Sequence, residues 1–222
     1  MKRFYPKSKV ETTGFIARHY DILLDMATLG KYLPFMKKAI SMAEIKPEDK
    51  ILDLGAGTGR NACLIEKYLS DKGLIVGLDI CQDMIAQFRK RCIALPNVTV
   101  INRRIDQPLP YKDEFNKVFI SFVLHGFAEN VRNVIIKNAF NALKKGGQFL
   151  IVDYNEFSLP DISFYLRFVF RLIECPYAFD FIKKDLKRLL TEAGFTNFQE
   201  HFFFNRFVRL LSAVKPIDSA EL

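Results

Sequence analysis

The chain has 222 residues, half of them apolar, and a formal net charge of +8 at pH 7. That length suits one α/β domain, and the apolar fraction excludes wholesale disorder. The longest apolar runs, such as 118–124, are too short to cross a bilayer, and the basic N-terminus lacks the apolar stretch of a signal peptide. We therefore expect a cytoplasmic protein.

Basic residues are spread along the chain and form no stripe with interleaved aromatics, so we expect no nucleic-acid partner. Diffuse positive charge suits either an ordinary solvated surface or peripheral contact with an anionic membrane. The cysteines, Cys63, Cys81, Cys92 and Cys175, form no C-x-x-C pair. Reduced thiols are therefore the expectation, without disulfides and without a metal site.

The chain begins with a loose basic tail, 1–14, and continues with two predicted cap helices, 15–28 and 33–43, within 15–45. Strands and helices then alternate through a core, 46–153. Short apolar runs predict strands over 50–54, 74–79, 98–101, 117–124 and 148–152. Amphipathic segments predict helices over 61–69, 83–95 and 129–143, the last ended by a basic turn and a glycine pair, 144–147. Repeated strand–helix units imply a parallel sheet with helices on both faces.

The C-terminal part departs from this alternation. An aromatic segment within 154–183 is predicted to be helical in part, and 184–216 holds a helix, 185–193, and two strands, 196–205 and 207–214. A tight turn at Asn205-Arg206 would join these strands into a hairpin. The whole chain, 1–222, is interpreted as one domain.

A glycine-rich loop is the sharpest motif. Residues 51–59 read Ile-Leu-Asp-Leu-Gly-Ala-Gly-Thr-Gly, between a buried strand and a helix. The glycines permit a tight turn and let a ligand touch backbone amides. Asp79 ends the next strand, where an acid can accept hydrogen bonds from both ribose hydroxyls of a nucleoside.

Two ligands fit this loop. A dinucleotide needs G-x-G-x-x-G, but here Arg60 occupies the place of the third glycine. Asp53 within the loop would repel a pyrophosphate, whereas it suits the ammonium of S-adenosylmethionine. The pattern therefore favours S-adenosylmethionine over NAD, and a ligand-free glycine turn is the remaining alternative.

Several segments resemble the successive motifs of class I S-adenosylmethionine-dependent methyltransferases. They are 51–59, 77–80 with Asp83-Met84, Leu109-Pro110 and 143–147. Within that superfamily, 18–21, 120–124 and 189–195 resemble the ubiquinone/menaquinone C-methyltransferase group. That group's strand-four segment usually continues with arginine and asparagine, and here it reads His125-Gly126-Phe127. The resemblance implies a Rossmann-like seven-stranded sheet, mostly parallel, with a C-terminal antiparallel hairpin.

The resemblance also implies a cofactor site. The methionine end would lie on Gly55, Ala56, Gly57 and Gly59, the ribose on Asp79, and the adenine on Ile80, Met84 and Asp106. Ser121 and Phe122 would lie beneath the sulfonium, and Tyr20 would close over the cofactor. For Asp106 the alternative is a solvated turn acid, and for Tyr20 it is a core aromatic.

Methyl transfer from a sulfonium requires the protein to align the acceptor, exclude water and, where needed, take a proton. Because ligands bind beyond the carboxyl ends of parallel strands, His125 is predicted as a general base or as a hydrogen-bond partner of the acceptor. Tyr154 is the second catalytic candidate, with Asp153, Glu156 and His19 behind it.

Phenylalanines are dense between 157 and 207, and helical spacing relates Phe164, Phe168 and Leu172 as well as Tyr165, Val169 and Ile173. These side chains are either ordinary core or the wall of an apolar acceptor site. We therefore expect an apolar chamber, roofed by 157–177 and the N-terminal helix, for a quinone-like or lipid acceptor. The alternatives are methylation of a phospholipid amine or a protein side chain, and a cofactor-binding module without turnover.

Overall fold

The computed structural model describes residues 5, 8, 14–162 and 164–217. The strands are β1 (Lys50–Leu54), β2 (Leu74–Asp79), β3 (Val98–Asn102), β4 (Phe115–Ser121), β5 (Leu143–Tyr154), β6 (Thr196–Phe203) and β7 (Val208–Val214). The N-terminal helices are α1 (Gly14–Arg18), α2 (Tyr20–Ala27) and α3 (Tyr32–Ser41). The remaining α-helices are α4 (Arg60–Ile65), α5 (Gln82–Arg91), α6 (Glu129–Ala142), α7 (Phe164–Ile173), α8 (Pro176–Phe181) and α9 (Leu186–Glu192).

The strands form one seven-stranded sheet in the order β3-β2-β1-β4-β5-β7-β6. The first five strands pair in parallel, and β7 pairs antiparallel with both β5 and β6. The predicted fold, a mostly parallel sheet completed by an antiparallel C-terminal hairpin, is confirmed. At β1 the strand order reverses between β2 and β4, and a ligand crevice is expected there.

The sheet separates two apolar cores. Leu52 and Leu54 of β1 pack on one face with Ile135 of α6, whereas Ile51 packs on the other face with Met36 and Phe88. This division follows from the alternation of side chains along a strand. Because both faces of β1 and β4 are covered by helices, these strands consist mainly of buried apolar residues.

The helix predicted over 129–143 ends differently from the prediction. α6 ends at Ala142, and β5 begins at Leu143, so Lys144 and Lys145 belong to the strand and not to a basic last helical turn. The cation at this helix end comes from Lys215 instead, whose Nζ donates to Phe140 O and Leu143 O at 2.9 and 2.8 Å. A residue 70 or more positions away in the sequence thus caps the helix, which local sequence patterns do not reveal.

Strand β4 is shorter than predicted. It ends at Ser121 because Phe122 adopts a left-handed conformation, with φ of +52°, and Leu124–Gly126 then form a 3₁₀ turn. Phe122 N donates a last hydrogen bond to Val152 O at 2.8 Å. The chain therefore turns away from the sheet just before His125, which places that side chain above the strand ends.

The first predicted helix, 15–28, is divided at His19 into α1 and α2. Among the described residues, no helix is long and apolar enough to span a bilayer. At the other end of the chain the β6–β7 turn is tight, as predicted, with Phe204, Asn205 and Arg206 all at positive φ.

Candidate active site

A cavity of about 760 Å³ lies beyond the carboxyl ends of β1, β2, β4 and β5. The residues that follow each of these strands contribute to its wall, and helix α2 closes it from the N-terminal side. The expected crevice at the reversal of strand order is therefore present. Its lining includes these predicted site residues: Tyr20, Gly55, Ala56, Gly57, Asp79, Ile80, Met84, Ser121, Phe122, His125 and Tyr154.

The glycine loop contains three glycines with different roles, although Gly55, Gly57 and Gly59 all have positive φ. A Cβ on Gly57 would meet only Gly55 O, at 4.0 Å, so this position faces open space. A Cβ on Gly59 would lie 2.8 Å from the ring of Phe88. Gly59 is buried and does not line the cavity. A glycine is needed at this position because α5 packs closely against it, and not because a ligand does.

Asp79 connects the end of β2 to the loop. Its carboxylate accepts hydrogen bonds from Gly57 N and from Cys81 N, both at 2.8 Å. Burial raises the pKa of Asp79, while the backbone donors oppose that rise. The carboxylate also lines the cavity, and each of its oxygens can accept more than one hydrogen bond. Asp79 can thus shape the loop and still receive the hydroxyls of a ribose.

Asp53 lies beneath the loop, with 2% of the residue exposed, and its Oδ2 has no hydrogen-bond donor. Burial and the nearby charge of Asp79 raise the pKa of Asp53 to about 7. A buried carboxylate oxygen without a donor is costly unless a ligand supplies one. Asp53 does not itself line the cavity, so this oxygen suits a ligand ammonium at Gly57 that reaches it through a bound water or after a small shift of the loop.

Helix α2 is tied to the glycine loop by two carboxylates. Asp21 accepts from Thr58 Oγ1 at 3.0 Å, and Asp25 pairs with Arg60 at 2.8 Å. The guanidinium of Arg60 also lies 5.1 Å from the ring centroid of Tyr32. Arg60, which the sequence offered only as a departure from a dinucleotide motif, thus anchors the helix that closes the cavity. Tyr20 on that helix lines the cavity as predicted, and desolvation raises its pKa.

Asp106 does not line the cavity. Its carboxylate pairs with Arg104 at 2.7 Å and accepts a hydrogen bond from the hydroxyl of Tyr5. The neighbouring Ile105 lines the cavity in its place. The predicted contact of Asp106 with an adenine amino group would require a change in these pairings.

A buried polar cluster occupies the other end of the cavity. His125 Nδ1 lies 2.7 Å from Asp153 Oδ1, and its Nε2 lies 3.3 Å from Glu174 Oε2. The hydroxyl of Tyr154 donates to Glu174 Oε1 at 2.6 Å. These residues come from the turn after β4, the end of β5 and the end of α7, so the cluster joins three separate segments.

The two carboxylates determine the charge of His125. Burial alone would lower the pKa of the imidazole, but Asp153 and Glu174 outweigh it and raise that pKa to about 10. His125 is therefore protonated at neutral pH, which favours the hydrogen-bonding role over that of a general base. Burial and the charge of Glu174 also raise the pKa of Tyr154 well above its ordinary value.

Glu174 was missing from the sequence-based site. One feature of the sequence could have indicated it. Glu174 is the sole acid between 164 and 177, a stretch rich in aromatic and aliphatic residues. An acid in such surroundings is rarely buried without a partner. Sequence patterns could not say that the partners would be His125 and Tyr154.

Besides Asp153, which is buried and contacts His125, two polar candidates do not line the cavity. His19 Nδ1 lies 3.0 Å from Phe15 O, and its ring packs on Phe15 at 4.2 Å. Glu156 accepts from Leu186 N and pairs with Arg209 at 2.6 Å. Neither residue lines the cavity.

The described part of the aromatic segment contributes little to the cavity wall. Phe170 packs edge to face on both Phe157 and Phe179, and Phe164 and Phe168 are exposed. From this segment, Glu174 and Cys175 line the cavity among the described residues. The side chains of Tyr165, Val169, Leu172 and Ile173 lie outside the described residues.

Comparisons with known proteins find methyltransferases. A family model described as a methyltransferase domain matches residues 51–147. The chain is 29% identical over 144 residues to the ubiquinone/menaquinone biosynthesis C-methyltransferase UbiE of Xanthomonas oryzae, covering 64% of this chain and 56% of that relative. It is 25% identical over 220 residues to the protein of the same name from Neisseria meningitidis, covering 90% of this chain and 88% of that relative.

The fold is similar to that of Haemonchus contortus phosphoethanolamine N-methyltransferase 2, solved in complex with S-adenosyl-L-methionine. The TM-score is 0.65 at 16% identity, covering 82% of this chain and 52% of that chain. At this identity the likeness bears on the fold alone.

The sheet, the glycine loop with Asp79 and the family-model match over 51–147 are similar to those of class I S-adenosylmethionine-dependent methyltransferases. Within that class it resembles the ubiquinone/menaquinone C-methyltransferase group, as the sequence motifs predict. The chain spans little more than half the length of the Xanthomonas relative.

Proposed function

We propose that the chain is an S-adenosylmethionine-dependent methyltransferase and that its acceptor is apolar and carries one or two hydroxyl groups, such as a ring of the quinone type. The observation that carries the proposal is the composition of the cavity. A ligand-ready glycine loop occupies one end, a compact polar cluster around His125 occupies the other, and the wall between them is mainly apolar. The similarity to quinone C-methyltransferases supports the same acceptor class.

The cofactor end has a residue for each part of S-adenosylmethionine. Gly57 leaves room for the methionine moiety, and Asp53 beneath the loop offers an unpaired carboxylate oxygen to its ammonium or to a water bound to it. Asp79 receives the ribose hydroxyls, and Ile80 and Met84 provide an apolar surface for the adenine. When bound there, the cofactor supplies a methyl group that is already activated by its sulfonium.

The acceptor end favours apolar substrates, because Phe35, Phe122, Phe204 and Val208 form much of its wall. Polar side chains also line the cavity outside the His125 cluster, among them Tyr32, Arg60 and Asn61, and these pair with one another or with Asp25. A sugar or nucleotide would leave buried polar groups unpaired, at a cost of about 1–3 kcal/mol each. An apolar ring gains about 25 cal/mol per Å² buried and needs few hydrogen-bond partners.

The exposed side of the cap favours an anionic membrane surface as the source of this acceptor. On α2, Ile22 and Met26 are 61% and 69% exposed, and their spacing of four places them on one side of the helix; Leu29, just after the helix, is 83% exposed. Leu23 and Leu24 of the same helix line the cavity. With a net charge of +8, the chain has the charge and the exposed apolar residues that interfacial binding requires.

An amine acceptor is the second candidate, and one observation favours it. The cluster contains two carboxylates, Asp153 and Glu174, and one imidazolium, His125. Its net charge is therefore negative, which would attract an ammonium-bearing phospholipid. An ammonium acceptor would have to lose a proton from nitrogen before that nitrogen could attack the methyl group, whereas a ring of the quinone type would lose a hydroxyl proton.

The test is a mass-spectrometric screen with pure protein and labelled cofactor. Extracts rich in quinones and extracts rich in phospholipids would be offered in parallel, and a methylated quinone-type product is expected. A methylated phospholipid amine would replace the first proposal by the second. Absence of any methylated product, with S-adenosylhomocysteine still bound in calorimetry, would support a binding module without turnover.

A substitution sharpens the result. His125→Ala should reduce turnover by about 10²-fold or more while cofactor affinity stays within about twofold, because His125 lies at the acceptor end. Conversely, parallel losses of turnover and of S-adenosylhomocysteine affinity would show that His125 supports the cofactor.

A further inference from the structure

The geometry points to Glu174 as the group that takes the acceptor's proton, with His125 and Tyr154 positioning its carboxylate. Glu174 lines the cavity, with 10% of its side chain exposed. It accepts from Tyr154 through one oxygen and faces His125 Nε2 with the other. This assignment rests on the proposed function, since it presupposes an acceptor with a hydroxyl group.

The other members of the cluster are less suited to receive a proton. Both ring nitrogens of His125 face carboxylates, at 2.7 and 3.3 Å. Asp153 is 1% exposed and accepts from His125 N, from the His125 ring and from Tyr154 N. The hydroxyl of Tyr154 already donates to Glu174. Each carboxylate oxygen of Glu174 can accept more than one hydrogen bond, so it can also receive an acceptor hydroxyl.

Charge conservation inside the cavity supports the same assignment. Before reaction, Asp153 and Glu174 are negative, His125 is positive, and the bound sulfonium would balance the remaining negative charge. After reaction, the sulfide is neutral and a protonated Glu174 leaves Asp153 paired with His125. Within the His125 cluster, protonation of Glu174 therefore leaves one carboxylate paired with one imidazolium, so no unpaired charge remains there after transfer.

For a ring hydroxyl, proton transfer to Glu174 accompanies formation of the new bond to the methyl carbon. The acceptor O–H bond breaks, and its proton binds an oxygen of Glu174. The electron pair left on the acceptor forms the new bond to the methyl carbon, and the pair of the broken carbon–sulfur bond remains on sulfur. Where a ring carbon attacks, the ring C–H proton subsequently returns to the hydroxyl oxygen, so one proton is released in either case.

The groups that face Glu174 come from several elements. Among the described residues they include Tyr154 of β5, His125 of the turn after β4 and Tyr20 of α2. Burial is the main cause of the raised pKa of Tyr20, and the charge of Glu174 adds to it. The imidazolium is the group whose titration would report the charge of Glu174 most directly, because the two lie in contact. Its titration needs no acceptor and no turnover.

The test compares Glu174→Gln and Glu174→Asp with Glu192→Gln, a control at an exposed helical position. NMR would follow the imidazole of His125, assigned with His125→Ala among the three histidines of the chain. In Glu174→Gln the pKa of His125 should fall by about one unit or more, because one of its two carboxylate partners becomes neutral. In Glu192→Gln it should not change.

Kinetics supply the second readout. Glu174→Gln should lower kcat by about 10²–10³-fold with S-adenosylhomocysteine affinity within about twofold, and Glu174→Asp should restore part of kcat. Near-normal kcat in Glu174→Gln, or an unchanged His125 titration, would overturn the assignment. A wild-type protein that methylates no hydroxyl-bearing acceptor would instead refute the proposed function, and the two failures are thereby distinguished.

Discussion

The two ends of the cavity are built on different principles. At the cofactor end, backbone amides, glycine conformations and two strand-end acids lie within 51–79, close together in sequence. At the acceptor end, the polar groups come from residues 125, 153, 154 and 174 and meet only in the folded chain. A local motif therefore specifies the first site, whereas tertiary packing specifies the second.

The largest expected effect is on the free energy of unfolding, and it should distinguish Gly59, which packs against a helix, from Gly57, which faces the cavity. Gly59→Ala would place a Cβ 2.8 Å from Phe88 at φ of +77°, so we expect a loss of about 2–5 kcal/mol in the free energy of unfolding. Gly57→Ala meets open space, and we expect only about 1–2 kcal/mol from its left-handed backbone. Urea denaturation of both variants measures the difference.

Calorimetry should give the opposite order for the ligand. Gly57→Ala should weaken S-adenosylhomocysteine binding more than Gly59→Ala, once the folded fraction of each variant is taken into account. Equal effects of the two substitutions on affinity would mean that the loop acts only as a rigid unit.

Asp79 connects stability to binding. Hydrogen bonds to a charged acceptor contribute about 1.5–3 kcal/mol each, so Asp79→Ala should weaken S-adenosylhomocysteine binding at least about tenfold. Because Asp79 also accepts from Gly57 N and Cys81 N, the same substitution should lower the melting temperature of the apo protein. Undiminished affinity, measured by calorimetry, would place the ribose elsewhere.

The same contrast explains what the sequence could predict. Parallel strands, the hairpin and the cavity-lining loop residues follow from local periodicity and from motif resemblance. Gly59 belongs to the same motif, but its packing against Phe88 depends on where α5 lies. Glu174 and the Lys215 cap could not be predicted, because each contacts partners that are distant in sequence.

Asp53 should make cofactor binding depend on pH. Its pKa is raised to about 7 by burial and by Asp79, and an ammonium ligand requires its ionised form. S-adenosylhomocysteine affinity should therefore fall by up to about tenfold per unit as pH drops below about 7, and should level off above it. Calorimetry between pH 5.5 and 8 measures this linkage. Below about pH 7, binding should release on the order of one proton per ligand.

Asp53→Asn is the matched control, and its affinity should vary little over the same range. In the apo protein the raised pKa acts in the opposite sense. The folded state retains a proton that the unfolded chain has already lost, so this carboxyl costs stability as pH rises from about 4 through about 7. Asp53→Asn should therefore gain stability relative to wild type at pH 8 and not at pH 4, unless the buried amide lacks partners as well.

The smallest expected effect concerns the outer side of the cap, where neither a motif nor a buried cluster acts. Replacing Ile22 and Met26 together by glutamine should weaken binding to vesicles that contain anionic phospholipid by about tenfold, because two exposed apolar side chains would no longer enter the interface. Ile93→Gln is the matched control, since Ile93 is 85% exposed and does not line the cavity. Sedimentation with anionic and with zwitterionic vesicles separates the contribution of apolar contact from that of electrostatic attraction. Wild type should bind the anionic vesicles more strongly, and this preference should shrink as added salt screens the net charge. Equal losses in the two variants, or no binding of wild type to anionic vesicles, would leave α2 as a cap over the cavity without a membrane role.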